Sequence, residues 1–399
     1  MQRLTRRTFL KGIGVGGALL PLLAACATPA PPAASSGATA PATASQQPLK
    51  IGVMTPLTGP SAFFGPKFKD GINLRLDQAG MKAGGRSVQV LFEDEAGDLS
   101  AASDKVKKLV EQEKVDVMVG PLDSGLMMGV GPYYRDNKKV VLSLLNHPIE
   151  VKDFAWIFTP QGPLERVTYP MGLYAYDNMS IKSATVLGAD YIGGRRMVGG
   201  FEQALKDKGG TIVQEQWAPM GIQDFGPYLT NLAPADAVGV WHASSQQVFM
   251  QQYFQFGLKA PVVLAYADVL AESMLSELGD RVIGLRGAID YTWRLDNPDN
   301  QKFVTAFESK YQRKPDVIEE GAYEAATVIV EALGKTQGDA TPEKLRDAIL
   351  GLKFTGPAGP VSFHESGFGI RNIYIVEVKR QDGRPVWEPI YTYNDWKPM

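Results

Sequence analysis

Polar and aromatic residues stand at the ends of several short apolar runs, where they could bind a small organic molecule. Each run is rich in β-branched residues, as is typical of a strand, and the residues at or just after the run ends are Ser124, His147, Tyr191, Trp241, His242, Tyr266 and Asp268. Ligands of open α/β sheets bind outside the carboxyl ends of the strands, so these side chains predict a binding site. Each of them could also be an ordinary loop residue.

Ser124 stands where its side chain could bind the carboxylate group of a ligand. It stands between a predicted strand at 115–120 and a predicted helix at 126–137. Its hydroxyl and the free backbone N–H groups of the first helical turn could therefore bind a carboxylate. The alternative is that Ser124 only caps its helix.

The usual catalytic signatures are absent from the sequence. It has no Gly-x-Ser-x-Gly turn, no His-Glu-x-x-His, no phosphate-binding Gly-x-x-x-x-Gly-Lys-Ser/Thr, and only three scattered histidines. Glu93, Asp94 and Glu95 form an acidic strand end, for which solvation is a simpler explanation than catalysis. We therefore predict that the chain is not an enzyme and that it needs neither a cofactor nor a metal ion.

The N-terminal residues have the pattern of an export signal and a lipidation site. Arg6 and Arg7 precede an uncharged, glycine-rich stretch that ends at the only cysteine, Cys26. Paired arginines before a short apolar stretch are typical of twin-arginine export, and small residues before Cys26 suit a lipoprotein signal peptidase. We predict that 1–26 is a signal peptide and that the mature protein is an extracytoplasmic, membrane-anchored lipoprotein, in the periplasm or on the outer face of the cell membrane.

Amino-acid composition distinguishes a linker from the folded part of the chain. Residues 27–47 contain only Ala, Thr, Pro, Ser, Gly and Gln, so 27–48 is predicted to be a disordered linker. About 350 residues remain, enough for two domains. The net charge is −2 with both signs interleaved, which argues against nucleic-acid binding. Cys26 is the sole cysteine and is expected to carry lipid, so no disulfide is expected.

The body alternates strand and helix patterns twice. Short β-branched runs alternate with amphipathic ones from 50 to 144, and the alternation restarts after Pro163 and continues to 265. Helical patterns then fill 301–350, and strands at 373–378 and 390–393 close the chain. Repeated βα units predict an α/β fold with two Rossmann-like lobes, each built on a parallel sheet.

Five segments, in order between 49 and about 380, resemble the extracytoplasmic solute receptors of branched-chain amino-acid ABC importers. They are Ile51-Gly52-Val53 with Pro56-Leu57-Thr58-Gly59-Pro60, Val119-Gly120-Pro121 with Ser124-Gly125, Asp190-Tyr191 with Gly193, 256–261, and 311–315 with 323–325. The resemblance implies a type I periplasmic binding protein, in which a three-crossing hinge closes two lobes on a ligand. It also implies ABC permease and ATPase subunits as partners, and we expect a monomer.

The resemblance implies lobe boundaries as well. By analogy the crossings lie near 158–161, 288–291 and 361–363. The N-terminal lobe would then comprise 49–160 and 291–361. The C-terminal lobe would comprise 161–290 and 362–399.

The same analogy extends the site and leaves its ligand open. It adds Phe64, Gly125 and Leu145 to the strand-end residues as candidate ligand contacts. A branched-chain or other hydrophobic amino acid is the first interpretation, with Asp268 as a candidate partner for its ammonium group. A cleft rich in aromatic residues and histidine would also suit an aromatic carboxylate or another solute without an ammonium group. A ligand sensor for a membrane kinase would use the same fold.

Overall fold

The computed structural model describes residues 47–59 and 61–397. These described residues form one compact unit. Arg6, Arg7, Cys26 and nearly all of the predicted linker lie outside the described residues, so the export and lipidation signals stay predictions. Within the described part of the chain, no helix is both long and apolar enough to cross a membrane.

The first lobe is built on a six-stranded sheet. Its strands are β1 (Leu49–Thr55), β2 (Lys82–Ala83), β3 (Arg86–Asp94), β4 (Val117–Val119), β5 (Val141–Leu142) and β6 (Ile157–Phe158), in the order β2-β3-β1-β4-β5-β6. All neighbours are parallel except the hairpin of β2 with β3. The carboxyl ends of β1, β3, β4 and β5 therefore meet at one edge of the sheet.

Three helices connect these strands, and three more arrive late in the chain. The first group is α1 (Phe64–Gln78), α2 (Leu99–Lys107), which a π-helical turn extends over Lys108–Gln112, and α3 (Ser124–Asp136). The chain later returns to contribute α9 (Pro298–Tyr311), α10 (Val317–Lys335) and α11 (Pro342–Leu350), and α10 packs along α1.

Gly71 permits the close contact between α1 and α10. A Cβ atom at this position would lie 2.2 Å from the carbonyl oxygen of Glu319 and 2.8 Å from the Cβ atom of Ala322. Because backbone atoms cannot move aside as a side-chain tip can, any larger residue would force the two helices apart.

The second lobe is built on a nine-stranded mixed sheet. Its strands are β7 (Ser183–Ala189), β8 (Thr211–Ala218), β9 (Ala237–Trp241), β10 (Val262–Tyr266), β11 (Arg286–Ile289), β12 (Lys353–Gly356), β13 (Gly359–Phe363), β14 (Gly369–Gln381) and β15 (Arg384–Trp396). The order is β12-β13-β14-β11-β10-β9-β7-β8, and β15 pairs with β14. Strands β7 to β11 are parallel, whereas β12 to β15 add antiparallel pairs.

In the second lobe, α4 (Leu164–Asn178) leads from β6 of the first sheet into β7. The parallel strands β7 to β11 are then connected by α5 (Ile192–Asp207), α6 (Gly226–Thr230), α7 (Gln246–Gln255) and α8 (Glu272–Leu278). Strands such as β9 and β10 are buried along their whole length. This burial explains why they read as continuous apolar runs, since parallel strands are covered on both faces.

The predicted fold class is confirmed, with one correction to the chain path. Every strand and helix predicted between 50 and 265 has a counterpart, and the chain passes between the sheets after β6, after β11 and after α11. The last passage comes earlier than the expected 361–363, because β12 and β13 form a hairpin that adds to β14 in the second sheet. The expected division into lobes at 160, 290 and 361 otherwise stays a prediction.

Candidate functional site

A cavity of about 310 Å³ lies between the strand ends of the two sheets. Six of the residues predicted from the sequence line it: Phe64, Ser124, Leu145, Tyr191, Trp241 and Asp268. The first three belong to the first lobe and the last three to the second. Residues of both lobes therefore line the cavity.

Ser124 is presented to the cavity by the turn between β4 and α3. Asp123, not Ser124, caps the helix, since its carboxylate accepts a hydrogen bond of 2.9 Å from the Leu126 N–H. Ser124 is the first helical residue, is 6% exposed and lines the cavity. The capping alternative for Ser124 is therefore wrong, and its hydroxyl is left for the cavity.

Glu95, at the end of β3, fixes the backbone just before this helix. Its carboxyl accepts hydrogen bonds from the N–H groups of Leu122, at 2.8 Å, and Asp123, at 3.3 Å. Burial raises the pKa of Glu95 to about 7, although these hydrogen bonds act in the opposite direction. The N–H groups of Ser124 and Gly125 are first-turn donors, which have no acceptor within a helix.

The opposite wall is a hydrogen-bonded pair on adjacent strands. Trp241 ends β9, Asp268 lies just beyond β10, and these two strands are parallel neighbours. The indole Nε1–H of Trp241 donates a hydrogen bond of 3.0 Å to Asp268 Oδ1. Burial raises the pKa of Asp268 to about 7, and the indole hydrogen bond lowers it. The Tyr191 ring lies 6.4 Å from the Trp241 ring, centroid to centroid.

The comparisons with known proteins assign the family. A family model described as "Periplasmic binding protein" matches residues 48–384. The chain belongs to the periplasmic binding protein family. A curated relative, the Leu/Ile/Val-binding protein homolog 6 of Brucella melitensis biotype 1, is 28% identical over 346 residues, which cover 84% of this chain and 88% of the relative.

Solved structures of similar binding proteins agree with this assignment. An ABC transporter substrate-binding protein from Sphaerobacter thermophilus superposes with a TM-score of 0.84 at 30% identity, over 88% of this chain and all of that one. A solute-binding protein of an ABC transporter from Rhodopseudomonas palustris BisB5, in complex with 3,4-dihydroxybenzoic acid, has a TM-score of 0.82 at 26% identity, over 88% of this chain and 98% of that one.

These matches confirm several predictions made from the sequence. The resemblance to branched-chain amino-acid receptors is confirmed, and so is the prediction that the chain is not an enzyme, because its relatives are solute-binding proteins. This binding protein is the small-molecule-binding component of an ABC transporter, a component that docks on the permease. Membership of the family also implies an extracytoplasmic location.

Two predicted histidines lie behind the cavity wall instead of in it. His147 is fully buried, and its carbonyl oxygen accepts a hydrogen bond of 2.9 Å from the Leu164 N–H where the chain enters the second lobe. Burial lowers the pKa of His147 to about 4. His242 Nε2 lies 3.1 Å from the Pro219 carbonyl oxygen and its ring packs edge-on against Phe225. Their chain neighbours Asn146 and Trp241 line the cavity instead.

Tyr266 and Gly125, which the sequence also predicted as ligand contacts, do not line the cavity. The hydroxyl of Tyr266 donates a hydrogen bond to the carboxylate of Asp290, so this side chain turns away from the cavity toward the passage after β11. Gly125 is exposed at the outer side of the α3 start. Gly125 could therefore reach a ligand only through its backbone N–H.

Sequence reasoning missed the charged residues at the α1 side of the cavity. Lys67 of α1 forms an ion pair with Asp316, which caps α10, and both residues line the cavity. The Asp316-x-x-Glu319 spacing is that of a capping box, so the sequence did contain a signal for a helix start there. Nothing in the sequence placed Lys67 beside it.

The lining is rich in carboxyl groups. Of the described residues that line the cavity, Glu95, Asp123, Asp268 and Asp316 are acidic and Lys67 is basic. Among the residues that the structure describes, no group of three or more His, Cys, Asp or Glu side chains is arranged so that it could hold a metal ion. The cavity can therefore offer a ligand acceptors for its hydrogen-bond donors, a serine hydroxyl and first-turn N–H groups for its acceptors, and aromatic surface for an apolar body.

Proposed function

We propose that this protein is the lipid-anchored receptor of an ABC importer and that it traps a small hydrophobic carboxylate between its two lobes. The observation that carries the proposal is the position of Ser124. Ser124 lines a cavity that the two lobes share, at the start of a helix whose cap is already supplied by Asp123.

The carboxylate end of the ligand would bind at the start of α3. The N–H groups of Leu122, Asp123 and Leu126 already have carboxylate partners. The Ser124 hydroxyl and the first-turn N–H groups of Ser124 and Gly125 remain for the ligand. Hydrogen bonds to a charged acceptor become stronger in a closed cleft because water is excluded.

The apolar body of the ligand would lie between aromatic and aliphatic side chains of the two lobes. Phe64 and Leu145 line the cavity from the first lobe, and Tyr191 and Trp241 line it from the second. Methionine side chains complete this lining at 197, 220 and 274. Such thioethers adapt to ligand shape, so the residues that reject poor ligands would be the rigid aromatic ones.

Asp268 would select the polar group at the other end of the ligand. A hydrophobic amino acid is the first candidate, because the ionised carboxylate of Asp268 would pair with its ammonium group. An aromatic carboxylate is the second, because Trp241 and Tyr191 provide stacking surface and a phenolic hydroxyl could donate to Asp268. The Rhodopseudomonas palustris BisB5 protein, whose structure contains 3,4-dihydroxybenzoic acid, favours this second candidate.

Closure and anchoring complete the proposal. The lobes would close about the passages between the two sheets. Cys26 would carry lipid, and 27–48 would be a flexible linker between the membrane and the folded body. Small-angle X-ray scattering of the purified chain tests closure, since the best ligand should reduce the radius of gyration. An unchanged radius of gyration at saturating ligand would show that the lobes do not close.

A further inference from the structure

A buried cluster of four charged side chains joins the two lobes outside the ligand cavity. Arg371 of β14 is 1% exposed. Its guanidinium lies 3.0 Å from Glu324 Oε1, 3.6 Å from Glu320 Oε2 and 3.7 Å from Asp290 Oδ2. Arg371 and Asp290 belong to the second sheet and to the passage that leaves it, whereas Glu320 and Glu324 lie on α10, which packs along α1.

The cluster contains three carboxyl groups and one guanidinium. Glu320 and Glu324 stand four residues apart, so they project from the same face of α10 and repel each other when both are ionised. Both carboxyl oxygens of Glu320, together with Glu324 Oε2 and Asp290 Oδ2, are buried without a hydrogen-bond partner among the described residues. A buried carboxylate without a partner is strongly unfavourable, and Arg371 alone cannot balance three of them.

The surrounding cations already have acidic partners outside the cluster. Arg75 and Lys302 line a cavity together with Glu324, but Arg75 pairs with Glu331 and Lys302 pairs with Asp299. Tyr266, Tyr291, Tyr323 and Tyr374 surround the cluster and donate their hydroxyl protons to Asp290, Asn300, Gln78 and the Ala358 carbonyl, respectively. Asp268 adds further negative charge near Asp290. Glu319, the neighbour of Glu320 in sequence, is paired with Arg313.

We propose that Glu320 and Glu324 share one proton at neutral pH and that this proton holds the lobe junction together. Burial raises the pKa of Glu320 well above its ordinary value, and repulsion from Glu324 acts in the same direction. Burial likewise raises the pKa of Glu324, and here the nearby Arg371 opposes the shift. Loss of the shared proton would set the two carboxylates of α10 against each other and leave Arg371 as the one cation among three buried carboxylates.

A second cavity gives this proton a route to solvent. It has a volume of about 360 Å³ and is lined by Glu324, Tyr323 and Thr327 of α10 together with residues of α1, α9 and β12. Glu324 Oε2 faces Gly356, another lining residue, at 3.8 Å from the position that a Cβ atom would occupy. Among the described residues, this cavity and the ligand cavity have no lining residue in common. Proton exchange would therefore not require the ligand cavity to open.

Infrared spectroscopy of the purified full chain, without ligand, tests for the proton directly. A protonated carboxyl has a carbonyl stretch that a carboxylate lacks. At neutral pH Glu95 and Asp268 also contribute to this band, since burial raises the pKa of each to about 7. We therefore expect Glu320→Gln and Glu324→Gln each to reduce the intensity of the wild-type band by the contribution of the shared proton. Glu331→Gln is the matched control, because it makes the same change on the exposed side of α10.

Thermal unfolding across a pH series gives an independent readout. A raised pKa in the folded state means that stability is lost as pH rises, so the Tm of the wild type should fall relative to that of Glu320→Gln above the ordinary pKa of glutamate. Glu331→Gln should follow the wild type. The proposal is overturned if both Gln variants keep the wild-type band and the wild-type pH dependence. Because no ligand is used, this result is independent of the proposed function.

Discussion

The indole N–H of Trp241 donates a hydrogen bond of 3.0 Å to the carboxylate of Asp268, and both side chains line the cavity between the lobes. The bond lowers the pKa of Asp268, whereas burial raises it to about 7. The indole of Trp241 therefore favours the ionised form of Asp268, and the two residues form one unit of the cavity wall. This unit lies across the cavity from Ser124, on the other lobe.

Replacing Trp241 by Phe should test this unit. Phe keeps an aromatic ring in the wall but removes the hydrogen bond, so Asp268 should hold its proton to higher pH. We expect a loss of about 0.5–1.5 kcal/mol for an amino acid and a smaller loss for an aromatic carboxylate. Trp241→Ala should also change the order of preference among ligands. Titration calorimetry measures both effects, and Trp217→Phe, outside the cavity, is the control for a general loss of stability. If Trp217→Phe weakened ligand binding as much as Trp241→Phe, the assignment of Trp241 to the ligand site would be contradicted.

The pH dependence of ligand affinity should identify the ligand class. An ammonium group needs ionised Asp268, so amino-acid affinity should fall by up to about tenfold for each pH unit below 7, once most of Asp268 is protonated. An aromatic carboxylate should instead bind better as pH falls through 7, since protonation of Asp268 and Glu95 removes repulsion. Asp268→Asn should abolish the first dependence and spare most binding of an aromatic carboxylate. A flat profile for both ligand types would show that Asp268 does not face the ligand.

Gly71→Ala should destabilise the first lobe. The added Cβ atom would meet the Glu319 carbonyl oxygen at 2.2 Å, so α1 and α10 must separate, at a cost of about 1–3 kcal/mol. The matched control is Gly199→Ala in α5, where a Cβ atom would meet nothing within 4 Å, and where alanine should stabilise the helix by up to about 1 kcal/mol. Urea unfolding of the two variants should show opposite signs. If both variants changed the free energy of unfolding in the same direction, the packing of α1 on α10 would not be the cause.

The N-terminal signals make a separate prediction. Changing Arg6 and Arg7 together to Lys should block export, because the twin-arginine translocase reads the guanidinium pair. Cys26→Ala should release the protein from the membrane without unfolding the body, since Cys26 precedes the predicted linker. Metabolic labelling with a fatty acid measures the anchor directly. Wild-type protein without label would refute the lipid anchor.

The fold could be predicted because its strands are buried in parallel sheets. Strand β9 reads as a continuous apolar run and ends at Trp241, so the run itself located a cavity residue. The hairpin of β12 with β13 was missed because its strands are only four and five residues long and contain glycine and proline, a pattern that predicts a loop. The third passage between the lobes was accordingly placed too late.

The sequence predicted which short segments form the site, but not which of two adjacent residues lines the cavity. Strand ends gave Ser124, Trp241 and Asp268, but nothing in the sequence shows whether His147 or Asn146 points into the cavity, because adjacent side chains of an extended segment face opposite ways. The pairing of Lys67 with Asp316 depends on α1 meeting α10 across more than two hundred residues of sequence. Such contacts follow from tertiary packing and not from local pattern.

Titration calorimetry of the purified full chain with leucine and with 3,4-dihydroxybenzoate tests the central claim most directly. We predict one saturable site per monomer for at least one of the two ligands, with the ligand recovered unchanged. Ser124→Ala should weaken that binding by about 1.5–3 kcal/mol through loss of a charge-assisted hydrogen bond, whereas Ser276→Ala, on α8 outside the cavity, should leave it intact. Full-affinity binding by Ser124→Ala, or no binding of either carboxylate by the wild type, would contradict the account.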